Sequence, residues 1–141
     1  LGAFGVSLGG VIVSEASWKD RRIKASLIME SPIPKKIAQT GLRVPTIVIT
    51  RPAEAMRAER KKSGGWTESD IEQHLSTMRA LFENTAESEF VQLPDMFHVD
   101  FTDVPLWVPF PHLLGFSGKT PIEQTHDKLN GLTLTFFKEY L

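Results

Sequence analysis

The sequence predicts an α/β fold, a mostly parallel sheet with helices packed on both faces. Two observations carry this expectation. Apolar runs of strand length, enriched in β-branched residues, recur at 23–29 (IKASLIM), 44–50 (VPTIVIT) and 89–93 (EFVQL). Between them lie longer segments whose apolar residues return at helical spacing, and strands that alternate with helices pair in parallel because crossover helices cover the faces of the sheet. A third observation sets the scale: 141 residues, 41% of them hydrophobic, with a formal net charge of -1, suffice for one compact domain or part of one.

The first element surrounds Gly5-Val6-Ser7-Leu8-Gly9. This G-x-S-x-G pattern places a serine on a sharp turn between a strand and a helix, with its hydroxyl clear of the backbone. Residues 1–4 offer that turn only a stub of the usual strand of about five residues, and the chain opens on leucine. The expectation is the carboxyl-terminal part of a longer protein, cut or segmented at that strand. Residues 8–19 read as a helix with Leu8, Val11, Ile12 and Ala16 on its apolar side, before the charged turn Asp20-Arg21-Arg22. Its β-branched run lowers intrinsic propensity, so burial must support it.

Residues 23–29 read as an interior strand, ended by Ser31-Pro32-Ile33-Pro34 because proline denies the ladder a donor. After a short basic helix or loop comes 44–50, where Pro45 fits only near the strand's start. Residues 53–62 form a polar helix closed by Ser63-Gly64-Gly65, and its basic run from Arg57 to Lys62, interspersed with Glu54 and Glu59, reads as a solvated face. Thr67-Glu68-Ser69-Asp70 is a helix-start signature, followed by Ile71, Leu75, Met78 and Phe82 at helical spacing. Residues 51–85 as a whole read as a cap-like insertion. Residues 89–93 make a third strand, and Thr120-Pro121-Ile122-Glu123 opens a last helix to Tyr140 with a capping box and proline at its first position.

Several function classes are excluded. Without cysteine there is no disulfide framework, thiolate metal site or cysteine nucleophile. A near-neutral charge without a clustered Lys/Arg surface argues against nucleic acid as a partner. No apolar stretch is long enough to span a bilayer. The four histidines lack zinc-site spacing, the carboxylates lack a calcium loop, and the glycines match neither a phosphate loop nor a dinucleotide fingerprint, so neither metal nor cofactor is expected.

In parallel sheets, chemistry collects beyond the carboxyl ends of the strands. Ser7, Glu30 and His98 fall there, in the chain order serine, acid, histidine. In that trio histidine takes the serine proton and the carboxylate fixes the imidazole's tautomer, while the Leu8 N–H at the helix start meets a developing oxyanion. Glu54, after the 44–50 strand, is the rival acid, although at a helix amino-terminus it also has a macrodipole reason to be there. Asp95, Asp100 and Asp103 surround the histidine, and His74, His112 and His126 are read as packed or solvated. Trp107, Phe110, Leu113, Leu114 and Phe116 suit either an apolar substrate wall, open to a lipid surface, or simple core packing. Trp66 and the helix after it are read as a second cap.

Three segments resemble the α/β-hydrolases of the platelet-activating factor acetylhydrolase family, in its plasma-type and bacterial or fungal lipase-like branch. GAFGVSLGG (2–10) is similar to that family's nucleophile elbow, DRRIKASLIMES (20–31) to its next strand ending in the acid, and FHVDFTD (97–103), with PLW and the final FFKEYL, to its histidine segment and carboxyl end. The resemblance implies a serine esterase of the acetylhydrolase or lipase-like kind, with Ser7, Glu30 and His98 as its triad and a small ester or lipid-like substrate. It also implies an amino-terminal fragment of the same hydrolase as partner, since the family's second oxyanion donor comes from a loop upstream of the elbow. The chain departs from the family in carrying Glu30-Ser31 where aspartate and glycine are usual. The same residues are open to acyl transfer, cyclisation or lactone chemistry, and to a non-catalytic ligand-binding role.

Overall fold

The strongest apolar runs become the centre of the sheet. In a computed structural model that describes all 141 residues, β2 (Ala25–Met29) and β3 (Thr46–Thr50) are buried at every position. β1 (Gly2–Val6) and β4 (Ser88–Gln92) flank them as edge strands, in the order β1-β2-β3-β4, and every neighbouring pair is parallel. Val6 stands level with Met29, Met29 with Ile49 and Ile49 with Val91. The residues that follow these strands therefore emerge along one rim.

The helices are α1 (Leu8–Lys19), α2 (Lys35–Thr40), α3 (Ala53–Ser63), α4 (Glu68–Asn84), the short α5 (Val104–Trp107) and α6 (Ile122–Tyr140), with a 3-10 turn at His98–Phe101. Alternate strand residues point to opposite faces. Leu27, Met29, Ile47 and Ile49 meet Leu129 and Phe136 of α6, together with Met96 and Phe101. Ile28 and Val48 meet Ile37 and Ala38 of α2 and Met78 and Leu81 of α4. The result is a general α/β architecture with a core on each side of the sheet.

Several local expectations change. Helix α1 does not bury Leu8 and Ile12, which are 71% and 61% exposed; it buries Gly10, Ser14 and Ser17. Small residues let the helix lie close to β2, where Ser17 and Ser26 share a 2.6 Å hydrogen bond. Helix α4 has the expected capping box between Thr67 and Asp70, but its buried stripe is Ile71, His74, Met78 and Leu81. Leu75 and Phe82 are half-buried, and the rotation carries His74 inward. Helix α4 packs on α2 and on the sheet instead of arching away from them. Glu59 is not solvated: it is buried against Arg51. Helix α6 begins one residue later than expected, with Pro121 at the cap and no side-chain cap bond, so the Thr120 box does not form.

Candidate functional site

The site begins with a turn that only certain residues permit. Ser7 has φ 55 and ψ -124, a left-handed conformation uncommon for a residue with a side chain. It is held by its own N–H, which donates to the Met29 carbonyl at 3.0 Å, and by its carbonyl, which accepts from Gly10 N–H at 2.9 Å. A side chain at Gly5 would collide with the Gly9 backbone, and one at Gly10 with the Ser31 side chain. Gly9, the second glycine of the motif, faces open space, so the steric demand falls on Gly5 and Gly10.

Glu30 follows β2 with φ 46, a second strained position on the same rim. His98 arrives on the 3-10 turn after β4, six residues beyond the strand. The turn is pinned by Asp100, whose buried carboxylate accepts from Phe97 N–H at 2.7 Å, Gly118 N–H at 2.8 Å and the Ser117 hydroxyl at 2.6 Å. Asp100 is thus engaged by two backbone N–H groups and the Ser117 hydroxyl, away from the His98 ring, and does not take the place of the acid.

The three strand-end residues meet. His98 Nε2 lies 3.1 Å from Ser7 Oγ, and His98 Nδ1 lies 3.3 Å from Glu30 Oε2. With its proton on Nδ1, the ring donates to the carboxylate and accepts from the serine hydroxyl. Glu30 has no solvent exposure, whereas the His98 side chain is 26% exposed. The rival Glu54 is 81% exposed and faces Arg57 across 3.9 Å. The structure brings Ser7, Glu30 and His98 together and leaves Glu54 outside.

Residues not anticipated as part of the site surround Glu30. Thr50 Oγ1–H donates to Oε1 at 2.5 Å, Arg51 N–H to Oε1 at 3.2 Å and Arg51 Nε–H to Oε2 at 2.8 Å. His74 Nε2 lies 3.5 Å from Oε1 and 3.3 Å from Thr50 Oγ1. Burial opposes the charge on Glu30, but the hydrogen bonds from His74 and His98 and the Arg51 guanidinium outweigh it and hold the carboxyl well below the ordinary carboxylate range. Arg51 is itself fully buried, and its Nη1 reaches Glu59 Oε2 at 2.5 Å, an approach too oblique for a hydrogen bond although the charges meet. The strand-end rule, applied to β3, points to Arg51; nothing local marks Glu59.

The aromatic ring beside His98 is Trp66. It stands edge-on to His98 at 5.7 Å and to His74 at 5.3 Å, with the Arg51 guanidinium 5.4 Å from its centre. Gly64, Gly65 and Trp66 all have positive φ, and this tight reversal swings the indole back over the rim. Trp107, Phe110 and Phe116 are 77%, 69% and 49% exposed. Phe110 lines a separate cleft of about 420 Å³ with His112, Lys119 and Glu123. The Leu8 N–H, at the first helical position, has no intrahelical acceptor. No group of three or more His, Asp or Glu side chains is arranged to hold a metal ion, and no helix is long and apolar enough to cross a membrane.

Chemically, the row can move a proton from a serine hydroxyl to an imidazole whose far nitrogen rests on a buried carboxylate. No protein-family model matches this chain, and no curated protein matches it.

Proposed function

We propose that this chain belongs to an α/β-hydrolase-like serine esterase, similar to the platelet-activating factor acetylhydrolase family, that cleaves carboxylic esters through an acyl-enzyme on Ser7. The observation that carries the reading is the row Ser7–His98–Glu30, with contacts of 3.1 and 3.3 Å. Ser7 Oγ attacks the ester carbonyl while its proton passes to His98 Nε2. The Leu8 N–H meets the oxyanion; when the intermediate collapses, Nε2 returns the proton to the departing alcohol. Water then repeats the sequence on the acyl-enzyme, giving the acid and restoring Ser7. Glu30 holds the ring and offsets the charge of the imidazolium. None of these steps requires a cofactor.

One oxyanion donor leaves the site incomplete, since each is worth on the order of 3 kcal/mol of barrier. In this reading the second comes from a polypeptide segment of the same hydrolase docked along the unpaired edge of β1, where Phe4, Leu8 and Ile12 are 62%, 71% and 61% exposed. The substrate is a small or lipid-like ester, and the exposed loop of Trp107, Phe110, Leu113 and Leu114 suits contact with a lipid surface.

The test is a serine-directed fluorophosphonate, read by intact mass and peptide mapping, on the chain with and without the segment that docks on β1. A single adduct on Ser7, lost in Ser7→Ala, is expected. A folded protein that includes the docked segment and leaves Ser7 unlabelled would falsify the reading. Ester turnover in the presence of competing alcohols then separates hydrolysis from acyl transfer.

A further inference from the structure

Behind Glu30 lies an ion pair for which the proton relay has no evident use. Arg51 places Nε on Oε2 of Glu30, the same oxygen that meets His98 Nδ1. A guanidinium there, taken alone, competes with the imidazole and cancels the negative charge that is meant to stabilise its protonated form. Glu59, from α3, answers it. Its Oε2 lies 2.5 Å from Arg51 Nη1, while its Oε1 accepts the backbone N–H of His98 at 3.3 Å. The contacts thus form a closed circuit, from the His98 ring to Glu30, to Arg51, to Glu59 and back to the His98 backbone.

We infer that Arg51 and Glu59 are positioning residues for His98: Arg51 anchors Glu30, and Glu59 cancels the Arg51 charge, so that the negative charge facing His98 survives while its turn is tied to α3. The catalytic meaning of this clamp rests on the hydrolase reading; its electrostatics do not. A buried ion pair kept only for stability would gain little over an apolar pair of the same volume. It would also have no reason to spend its second carboxylate oxygen on the backbone of the residue that meets Ser7. The ionisable groups facing His98 and its acid are Ser7 from the β1–α1 turn, Glu30 after β2, Arg51 after β3, Glu59 from α3 and His74 from α4. Lys62 of α3 lies 5.4 Å over the neighbouring Phe97 ring, and Asp100 on the histidine's own turn is held by Phe97, Ser117 and Gly118. Of these, only Arg51 and Glu59 form a compensating pair that can be changed without substituting Ser7, His98 or Glu30.

The test is an NMR titration of isotopically labelled histidines in the whole chain, with the His98 signal assigned by its loss in His98→Asn. Glu59→Gln keeps the shape and an amide oxygen to accept the His98 N–H, and removes only the charge. Its His98 midpoint is expected to fall by about one pH unit, the usual size for one nearby charge in a partly buried site. Arg51→Met is expected to raise the midpoint by a similar amount, and the double variant to return it close to that of the unsubstituted chain. If Arg51→Met does not fold, Arg51→Lys, which retains the cation, should leave the midpoint in place, and Glu59→Gln still decides the matter. A midpoint that stays put or rises in Glu59→Gln overturns the inference. Fluorophosphonate labelling of Ser7 in the same samples separates the two readings. Labelling with immobile midpoints removes the clamp and keeps the hydrolase; moving midpoints, with Ser7 unlabelled even when the segment docked on β1 is present, keep the clamp and remove the hydrolase.

Discussion

At Glu30 a carboxylate without solvent exposure accepts from Thr50 and from both the backbone and side chain of Arg51, and leaves one oxygen facing His98. Because its carboxyl is held below the ordinary range in the folded protein, its contribution to stability is fully present above the unfolded value of about 4.3. That contribution is lost as pH falls from there through the lower folded value. Urea melts between neutral pH and pH of about 3 should therefore lose stability in the unsubstituted chain with a steeper acid slope than in Glu30→Gln, which cannot titrate. At neutral pH Glu30→Gln takes from Arg51 one of its two carboxylates, leaving Glu59 as the other, and should cost about 1–3 kcal/mol in the same melts, the range for a lost hydrogen bond to a charged group. If the hydrolase reading holds, kcat should also fall by about 10⁴-fold, because an amide no longer favours the tautomer that accepts the serine proton. The place of Glu30 is legible in the sequence, as a carboxylate immediately after an interior strand. Its neighbours are less so: Arg51 stands before a proline at the end of a strand, and Glu59 sits in a basic run that reads as solvated until Arg51 is seen beneath it.

Among the elements, α1 departs furthest from its sequence pattern. Apolar periodicity marks Leu8 and Ile12 as inward, yet the helix turns Gly10, Ser14 and Ser17 to the sheet. The elbow sets this rotation: once Ser7 adopts its strained turn, the helix axis is fixed close to β2 and only small side chains fit beneath it. Gly10→Ala would drive its methyl into Ser31, and thermal or urea unfolding should show a loss of about 1–3 kcal/mol. Gly9→Ala, with nothing near the new methyl, should be neutral or stabilise by up to ~1 kcal/mol. Equal losses from both substitutions would remove this account of the elbow. In α4 the same kind of rotation, by a residue or so, exchanges Leu75 for His74 at the core face. The period is readable from the sequence, but its phase is set by what the helix packs against.

Across the whole molecule, β1 is an edge strand whose outer backbone groups have no strand partner in the sheet, with Phe4 exposed on the strand itself and Leu8 and Ile12 exposed on α1. Such an edge recruits another chain unless it is covered. The 141-residue chain by itself is expected to self-associate with rising concentration in sedimentation velocity, and Phe4→Lys with Ile12→Glu to reduce that association without changing the helical signal in circular dichroism. A monodisperse unsubstituted chain at high concentration would count against an adhesive edge. Local sequence carries the alternation of strands and helices, the parallel sheet, the turn at Ser7, the place of Glu30 directly after a strand and that of His98 in the segment beyond another. Each of these follows from local periodicity, from turn chemistry or from the rule that loops at one rim gather function. Only the tertiary structure decided that His74, Arg51 and Glu59 converge on Glu30, that Trp66 stands beside His98, and which glycines bear the close contacts. Those relations join residues far apart in the chain, and they depend on helix phase and buried charge pairing, which no local pattern encodes.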